Sequence, residues 1–282
     1  MFPCLWFAGI NLLHLSLMKR VPINEITIEN YQEVYRDYQE YRVHPLVPKL
    51  GHMAVRQLFR PDVYFESGAK EHIESQSAKG NPMIMTSNHV RYIDHFIIGA
   101  AWQRDKALRG FINNTMVYAK APYFTESKSK WMTELIGGVP VWRDRDFTPE
   151  QFAEIGRLFG SAALSLMAMS LEQLKMGRNA FLFPEGTRNT GDWNQVSSLQ
   201  PGVGHLAAKA WHIDELKDVS VIPTGIAYRT DSQHNWFKPT IYVGEPLVRD
   251  GCFMYPNPIV RELEKRMQHS VDLANVKLKD AA

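Results

Sequence analysis

The chain has 282 residues, 45% of them hydrophobic and 22% charged, which is typical of a globular protein rather than a disordered one. Its formal net charge of +2 provides no strongly basic field, which argues against nucleic acid as a partner. The two cysteines, Cys4 and Cys252, are too few for a disulfide framework or a cysteine metal cluster.

The first 18 residues, MFPCLWFAGINLLHLSLM, contain no charged side chain and are followed by Lys19 and Arg20. They lack the positive start of a signal peptide and are short for a membrane span, which needs about 20 apolar residues. The pattern predicts a helix lying in the membrane interface, with the body of the protein at the cytoplasmic face. A helix packed on the protein's own core is the alternative.

Further along the chain, apolar residues recur near helical spacing in 25–60, until prolines interrupt the pattern. Strands are then predicted at 62–67, 82–87, 110–120, 139–143, 179–183, 219–228 and 240–247. Helices are predicted at 94–103, 131–138, 149–177, 202–212 and 258–278. The alternation predicts an α/β fold with a mixed, largely parallel sheet flanked by helices. Residues 1–60 would form an N-terminal helical appendage, and residues 61–282 the main domain.

The stretch SNHVRYIDH, residues 87–95, places His89 and Asp94 between a predicted buried strand and a predicted helix. The loop between them can fold back, so that the carboxylate of Asp94 binds one ring nitrogen of His89 and leaves the other free as a base. An ordinary helix cap at Asp94 beside an uninvolved imidazole is the alternative. A metal site at His89, Asp94 and His95 is a third interpretation, disfavoured because Ser87 stands where a dinuclear hydrolase has a second histidine.

The stretch FLFPEGTRN follows another predicted strand, and Pro184 cannot extend that strand's ladder. Gly186 permits a tight turn, which displays Glu185 and Arg188 at the strand end, where open α/β sheets usually carry their sites. Backbone N–H groups together with a guanidinium suit a phosphate. The alternative is an ion pair between Glu185 and Arg188 that only stabilises the loop.

Two shorter features are weak by themselves. Arg143 lies just beyond a predicted strand. It is predicted either to contact the phosphate as a second arginine or to be a surface charge paired with Asp144 or Asp146. Pro223 is predicted to end the strand in VIPTGI.

In this order, the four pieces resemble the glycerolipid acyltransferase family that includes the lysophosphatidic acid acyltransferases. The matching positions are Asn88, His89 and Asp94 in the first block, Gly137, Pro140 and Arg143 in the second, Phe183 to Arg188 in the third, and Pro223 in the fourth. The resemblance covers about residues 60–250. Two departures are Gln200 and Pro201, where the family often has Lys or Arg, and extra residues around 144–160.

The resemblance implies transfer of a fatty acyl group from acyl-CoA or acyl carrier protein to a hydroxyl of a lysophospholipid. His89 would be the general base and Asp94 its partner. The substrate would be bound by Asn88, Arg143, Glu185, Gly186, Thr187 and Arg188. No metal and no cofactor beyond the acyl carrier is expected, and the lipid substrates imply a membrane-associated protein, monotopic or peripheral. A glycerol-3-phosphate acyltransferase and a hydrolase that uses water at the same histidine are the alternatives.

Overall fold

The structure is a computed structural model that describes residues 26–40, 55–112, 114–125, 130, 133, 136–228, 238–251 and 255–280. In this part of the chain, seven strands form one sheet in the order β1-β7-β6-β2-β5-β3-β4. The strands are β1 (Asp62–Phe65), β2 (Met83–Ser87), β3 (Thr115–Lys120), β4 (Gly138–Val141), β5 (Asn179–Leu182), β6 (Ser220–Ala227) and β7 (Thr240–Val243). Neighbouring strands are parallel except for β6 and β7, which confirms the predicted mixed, largely parallel sheet.

Helices cover both faces of this sheet. They are α1 (Tyr31–Glu40), α2 (Ala69–Lys79), α3 (Asp94–Arg104), α4 (Pro149–Lys175), α5 (Gly202–Trp211) and α6 (Pro256–Asp280), with short 3₁₀ turns at Ala107–Phe111, Ala121–Phe124, Asp144–Asp146 and Asp214–Leu216. Alternate side chains of a strand face opposite ways, so Ile84 of β2 joins the cluster under α4, α5 and α6 while Met83 and Met85 join the cluster around α3.

Each strand predicted from the sequence is present, within a few residues of its expected ends, apart from the 110–120 segment, which starts later, at Thr115. Helix α2 was not predicted, because only Ala69 and Ile73 of its 11 residues are buried and an apolar stripe is nearly absent. Half of the helix predicted at 131–138 lies outside the described residues, and its last residue, Gly138, begins β4 instead.

The prediction that Pro223 ends a strand is wrong, because β6 continues through it to Ala227. Pro223 pairs in register with Thr86 of β2. Its nitrogen lies on the same side as the amide of Val221, which donates to the carbonyl of Leu247. Pairing with β7 starts only at Thr224, so the missing N–H falls where the ladder requires no donor.

Helix α1 packs in the main core, where Val34 and Tyr35 are buried with residues of α4 and α5. The described part of the predicted N-terminal segment therefore contributes to the same core as the sheet. The boundary at residue 60 stays a prediction, and the predicted interfacial helix at 1–18 lies outside the described residues.

Among the described residues, α4 is the one helix long and apolar enough to cross a membrane by length and composition alone. Only 11% of its most apolar window is buried, and Leu164 is 68% exposed. This agrees with association of the protein with a membrane, as weak support.

Candidate active site

The site lies at the edge of the sheet where parallel strands end. Strand β2 ends at Ser87, its neighbour β5 ends at Leu182, and β4 ends at Val141. Because carboxyl ends of parallel strands meet at one edge, the loops that follow them converge there. These loops carry His89, Glu185 to Arg188, and Arg143.

His89 and Asp94 are in direct contact. The distance from His89 Nδ1 to Asp94 Oδ2 is 2.9 Å, and the carboxylate is fully buried while the imidazole is 19% exposed. In the tautomer in which Nδ1–H donates to Asp94, Nε2 is left without a partner among the described residues. The loop fold that the sequence predicted is therefore present.

The carboxylate of Asp94 is not the cap of its own helix. Asp94 follows the N-cap residue, Ile93, and its Oδ2 accepts the N–H groups of Val90 and Arg91 at 2.6 and 2.8 Å. These donors belong to the loop before the helix. The carboxylate therefore fixes the His89 loop in addition to the ring of His89.

Tyr228 is a site residue that sequence reasoning missed. It follows β6, is 6% exposed, and its hydroxyl donates a hydrogen bond to Oδ1 of Asp94. Burial, together with the charge of Asp94, holds the pKa of the phenol well above its usual range, so the group is a donor. No motif marks this tyrosine, because the contact joins residues 134 positions apart.

Asn88 connects the same loop to strand β6. Its side-chain oxygen accepts the N–H of Ile226 at 2.7 Å, and its amide donates to the carbonyl of Ile226 at 3.1 Å. The side chain is 2% exposed. The structure thus places Asn88 as a link between the His89 loop and β6.

Glu185 also holds the loop, and in the structure its carboxylate binds backbone N–H groups rather than Arg188. Its Oε1 accepts the backbone N–H of His89 at 2.8 Å and its Oε2 that of Ser197 at 3.2 Å. The residue is 2% exposed. Burial raises its pKa, and the two N–H donors oppose that shift.

The third sequence block supports the imidazole itself. The ring of Phe183 stacks on the ring of His89, with centroids 4.1 Å apart and planes 17° apart. The N–H of Asn189 donates to the carbonyl of His89 at 2.6 Å. Gly186 has a φ of 68°, as the predicted tight turn requires.

His89 lines a cleft of about 770 Å³, a size usual for small-molecule sites. The apolar part of its wall comes from β3, β4, β5, α4 and α5 and from the residue after β4. Those side chains include Val117, Ala119, Val141, Trp142, Phe159, Leu166, Met167, Leu182, Val203 and Leu206.

The polar part of the wall is predominantly cationic. The described lining includes five basic side chains and one acidic side chain, Asp144. The basic ones are Lys120, Arg143, Arg145, Arg188 and Lys209. A cleft with this balance and low-dielectric walls attracts anions.

The two predicted phosphate-binding arginines differ in what they contact. Nε of Arg143 lies 3.0 Å from Asp146 Oδ2, its Nη2 binds the same carboxylate, and its Nη1 donates to the carbonyl of Gly186. Arg188 is exposed, and its guanidinium carbon is 5.7 Å from the ring centre of Tyr92. Thr187, directly before Arg188 in the third block, is exposed at the cleft.

His95 faces the cleft next to Asp94. Burial lowers its pKa to about 4, and the neighbouring His89 acts in the same direction, so His95 is neutral at pH 7. In the described part of the chain, no three His, Cys, Asp or Glu side chains are grouped so that they could hold a metal ion.

The comparison with protein families agrees with this geometry. The family model "Acyltransferase" matches residues 68–227, which include β2 to β6 and the loops that carry His89, Arg143 and Glu185. A search of curated proteins returned no match. The match covers more than half of the chain and the converging strand ends, and the chain therefore belongs to the glycerolipid acyltransferase family, which includes the lysophosphatidic acid acyltransferases.

Proposed function

We propose that this O-acyltransferase moves a fatty acyl group from an acyl thioester, acyl-CoA or acyl carrier protein, to a hydroxyl of a lysophospholipid such as lysophosphatidic acid. The observation that carries the proposal is the buried Asp94 bound to Nδ1 of a His89 that lines the cleft. The carboxylate holds the imidazole in one tautomer and stabilises the imidazolium that forms.

His89 acts as the general base. Its Nε2 takes the proton of the acceptor hydroxyl as the oxygen attacks the thioester carbonyl. The tetrahedral intermediate then collapses, the carbon–sulfur bond breaks, and the imidazolium returns the proton to the departing thiolate. A positioned base of this kind contributes about 10²–10⁴-fold to the rate.

The apolar and cationic parts of the cleft match the two parts of such substrates. The wall from β3, α4 and α5 buries acyl carbon chains, and each buried CH₂ is worth about 0.8 kcal/mol. The basic side chains attract phosphate. Asn88 and Glu185 act on the loop that carries His89, and Gly186 and Thr187 form the turn beside the cationic part.

The substrate also supports a location at the membrane. A lysophospholipid resides in a bilayer, and both the charge-free residues 1–18 and the exposed apolar side of α4 suit contact with lipid. The protein is proposed to be monotopic or peripheral at the cytoplasmic face.

The test is incubation of the purified protein with acyl-CoA or acyl carrier protein and a panel of acceptors. The panel contains lysophosphatidic acid, other lysophospholipids and glycerol 3-phosphate. The proposal is supported if the wild-type protein makes an ester product and the His89→Ala protein does not. The acceptor that is acylated fastest identifies the substrate. Release of free fatty acid alone would identify a hydrolase instead. Near wild-type turnover by a folded His89→Ala protein would show that His89 is not the general base.

A further inference from the structure

We infer that Arg91 is a positioning residue for the proposed general base, and that it acts through Tyr228 on Asp94. The inference rests on the proposed function, in which His89 is that base. It gives a task to a charged side chain of the first sequence block that the pair of His89 and Asp94 does not itself use.

The guanidinium of Arg91 lies against two aromatic rings. Its central carbon is 4.5 Å from the ring centre of Trp193 and 4.8 Å from that of Tyr228. Both distances are within the range of a cation–π contact, which arginine makes more often than lysine. The two rings come from distant parts of the chain, the loop after β5 and the end of β6. Arg91 therefore joins the His89 loop to both of them.

The two rings are the partners of this charge. In the part of the chain that the structure describes, the Arg91 guanidinium has no ion pair and no hydrogen bond, and its Nε is buried without a hydrogen-bond partner. A guanidinium is weakly hydrated and stacks on aromatic faces, so the rings replace the water that burial removes. They hold the side chain in place, and the side chain in turn holds the rings.

Arg91 is not part of the cleft wall. That wall includes His89, Tyr92 and His95 of the same stretch. Among the described residues that line the cleft, Arg91 is missing. Its charge therefore lies behind the His89 loop, where it influences the reaction through protein groups rather than by contact with the substrate.

Tyr228 connects this charge to the proposed base. Its hydroxyl donates to Oδ1 of Asp94, whose Oδ2 lies 2.9 Å from Nδ1 of His89. Burial and the charge of Asp94 raise the pKa of the phenol, and the positive charge of Arg91 opposes them. Arg91 therefore makes the hydroxyl a better donor, and it fixes the ring that carries this hydroxyl.

An indirect contact leaves the carboxylate available to the imidazole. A guanidinium bound directly to Asp94 would compete with His89 for the carboxylate oxygens. In the structure, Arg91 gives Asp94 only its backbone N–H, 2.8 Å from Oδ2. Its charged group reaches the carboxylate through the phenol of Tyr228 instead.

The kinetic test is a double-mutant cycle between Arg91→Met and Tyr228→Phe. Methionine keeps an apolar contact with the rings and has no charge. Arg91→Met should lower kcat about three- to tenfold, the range of a partly desolvated cation–π contact, and leave both KM values unchanged. In a Tyr228→Phe protein the same substitution should have little further effect, because the ring no longer carries the hydroxyl that binds Asp94.

Two further variants control this cycle. Arg91→Lys should recover part of the lost kcat, because an ammonium group also makes cation–π contacts. Arg109→Met, at an exposed position, is the matched control and should change neither kcat nor KM. Melting curves show which variants are folded. If Arg91→Met does not fold, the cycle is run with Arg91→Lys, whose smaller effect should also disappear in the Tyr228→Phe protein.

An NMR measurement separates this inference from the proposed reaction. In protein with isotope-labelled histidine, the Nδ1 proton of His89 is identified by its loss in His89→Gln. Arg91→Met should shift this resonance in the same direction as Tyr228→Phe, because both weaken the donor to the other oxygen of Asp94. Arg109→Met should leave it in place. If no acceptor is acylated but this pattern holds, the positioning role of Arg91 stands and the proposed reaction fails.

Three results would overturn the role of Arg91. Equal effects of Arg91→Met on kcat in the wild-type and Tyr228→Phe backgrounds would show that it acts independently of Tyr228. A raised KM for either substrate would make Arg91 a substrate contact instead. An unmoved His89 resonance in a folded Arg91→Met protein would show that the charge has no influence on Asp94.

Discussion

Asp94 accepts hydrogen bonds from the His89 ring, from the N–H groups of Val90 and Arg91, and from the hydroxyl of Tyr228. A fully buried carboxylate is costly unless its oxygens are satisfied, and these donors satisfy both of them. They also hold the carboxylate in one orientation. The proposed role of His89 as general base therefore depends on buried side chains and loop N–H groups around Asp94.

Tyr228→Phe tests this dependence at the level of one oxygen atom. Phe keeps the ring, which lies 4.8 Å from the guanidinium carbon of Arg91, and removes only the donor to Asp94. We expect kcat to fall about tenfold with an unchanged KM, since a hydrogen bond to a charged group is worth about 1.5–3 kcal/mol. Steady-state kinetics of the purified variant measures this.

The control for Tyr228→Phe is Tyr242→Phe on β7, which should leave kcat unchanged. A double-mutant cycle completes the test: in an Asp94→Asn protein, Tyr228→Phe should have little further effect on kcat, because the two act through one carboxylate. Equal effects in both backgrounds would show that Tyr228 acts independently of Asp94.

His95 gives a pH-dependent prediction. The pKa of His95 is about 4 in the folded protein, below the ordinary value of 6.5. Between these two pH values, His95 is therefore protonated to a greater extent in the unfolded chain than in the folded protein. Its contribution to stability is present above pH 6.5 and is lost as the pH falls towards 4. We expect the free energy of unfolding to drop over this window by up to about 3 kcal/mol on account of His95.

Denaturant unfolding of the wild type and of His95→Gln at several pH values measures this contribution. The variant should lose less stability than the wild type between pH 6.5 and 4, because it has no imidazole to protonate. His269→Gln, at an exposed position on α6, should behave like the wild type. Parallel pH curves for the wild type and His95→Gln would contradict the lowered pKa.

At the scale of elements, the contact between β6 and α6 holds the strand that ends at Tyr228. The strand and the helix meet at Gly225, where a Cβ atom would lie 2.4 Å from backbone atoms of Ser270 and Val271. A helix this close to a strand excludes any side chain at that position. Only glycine allows this packing, and the position of Tyr228 depends on it.

Gly225→Ala should therefore destabilise the protein by about 3 kcal/mol, because backbone must move to admit the methyl group. Gly156→Ala is the opposite case. It lies within α4 with open space around it, so alanine should stabilise by up to about 1 kcal/mol through helix propensity. Chemical denaturation of both variants decides the matter, and similar effects of the two substitutions would contradict the close approach.

At the scale of the whole molecule, the question is how the cleft meets the proposed lipid substrate. Removing residues 1–18 should move the protein from the membrane to the soluble fraction and lower activity on bilayer substrate. Activity on a short-chain, water-soluble substrate should survive. The reason is that the predicted interfacial helix supplies membrane contact and no part of the site.

Flotation with vesicles, beside a melting curve, measures the effect of this truncation. If the truncated protein unfolds, residues 1–18 belong to the core, as the alternative interpretation holds. If it remains folded and still binds vesicles, the exposed apolar side of α4 becomes the membrane contact to test next.

The sequence by itself determined the alternation of strands and helices and the strand ends that carry the candidate site, and it predicted the proximity of His89 and Asp94. It could do so because burial imposes a period on each element, and because a loop between β2 and α3 can bring His89 and Asp94 within reach. Among the described residues, the sequence prediction failed where burial was slight, as in α2, where a proline fell at a gap in the ladder, as in β6, and at the start of β3.

The tertiary structure alone decided what each polar side chain does. It tied Arg143 to Asp146, turned Glu185 towards the backbone of His89, and brought Tyr228 to Asp94. The last two contacts join residues about a hundred or more positions apart, and the geometry of hydrogen bonds varies over fractions of an ångström. No local pattern encodes such contacts, because they follow from how the sheet and helices pack rather than from the residues beside them in the chain.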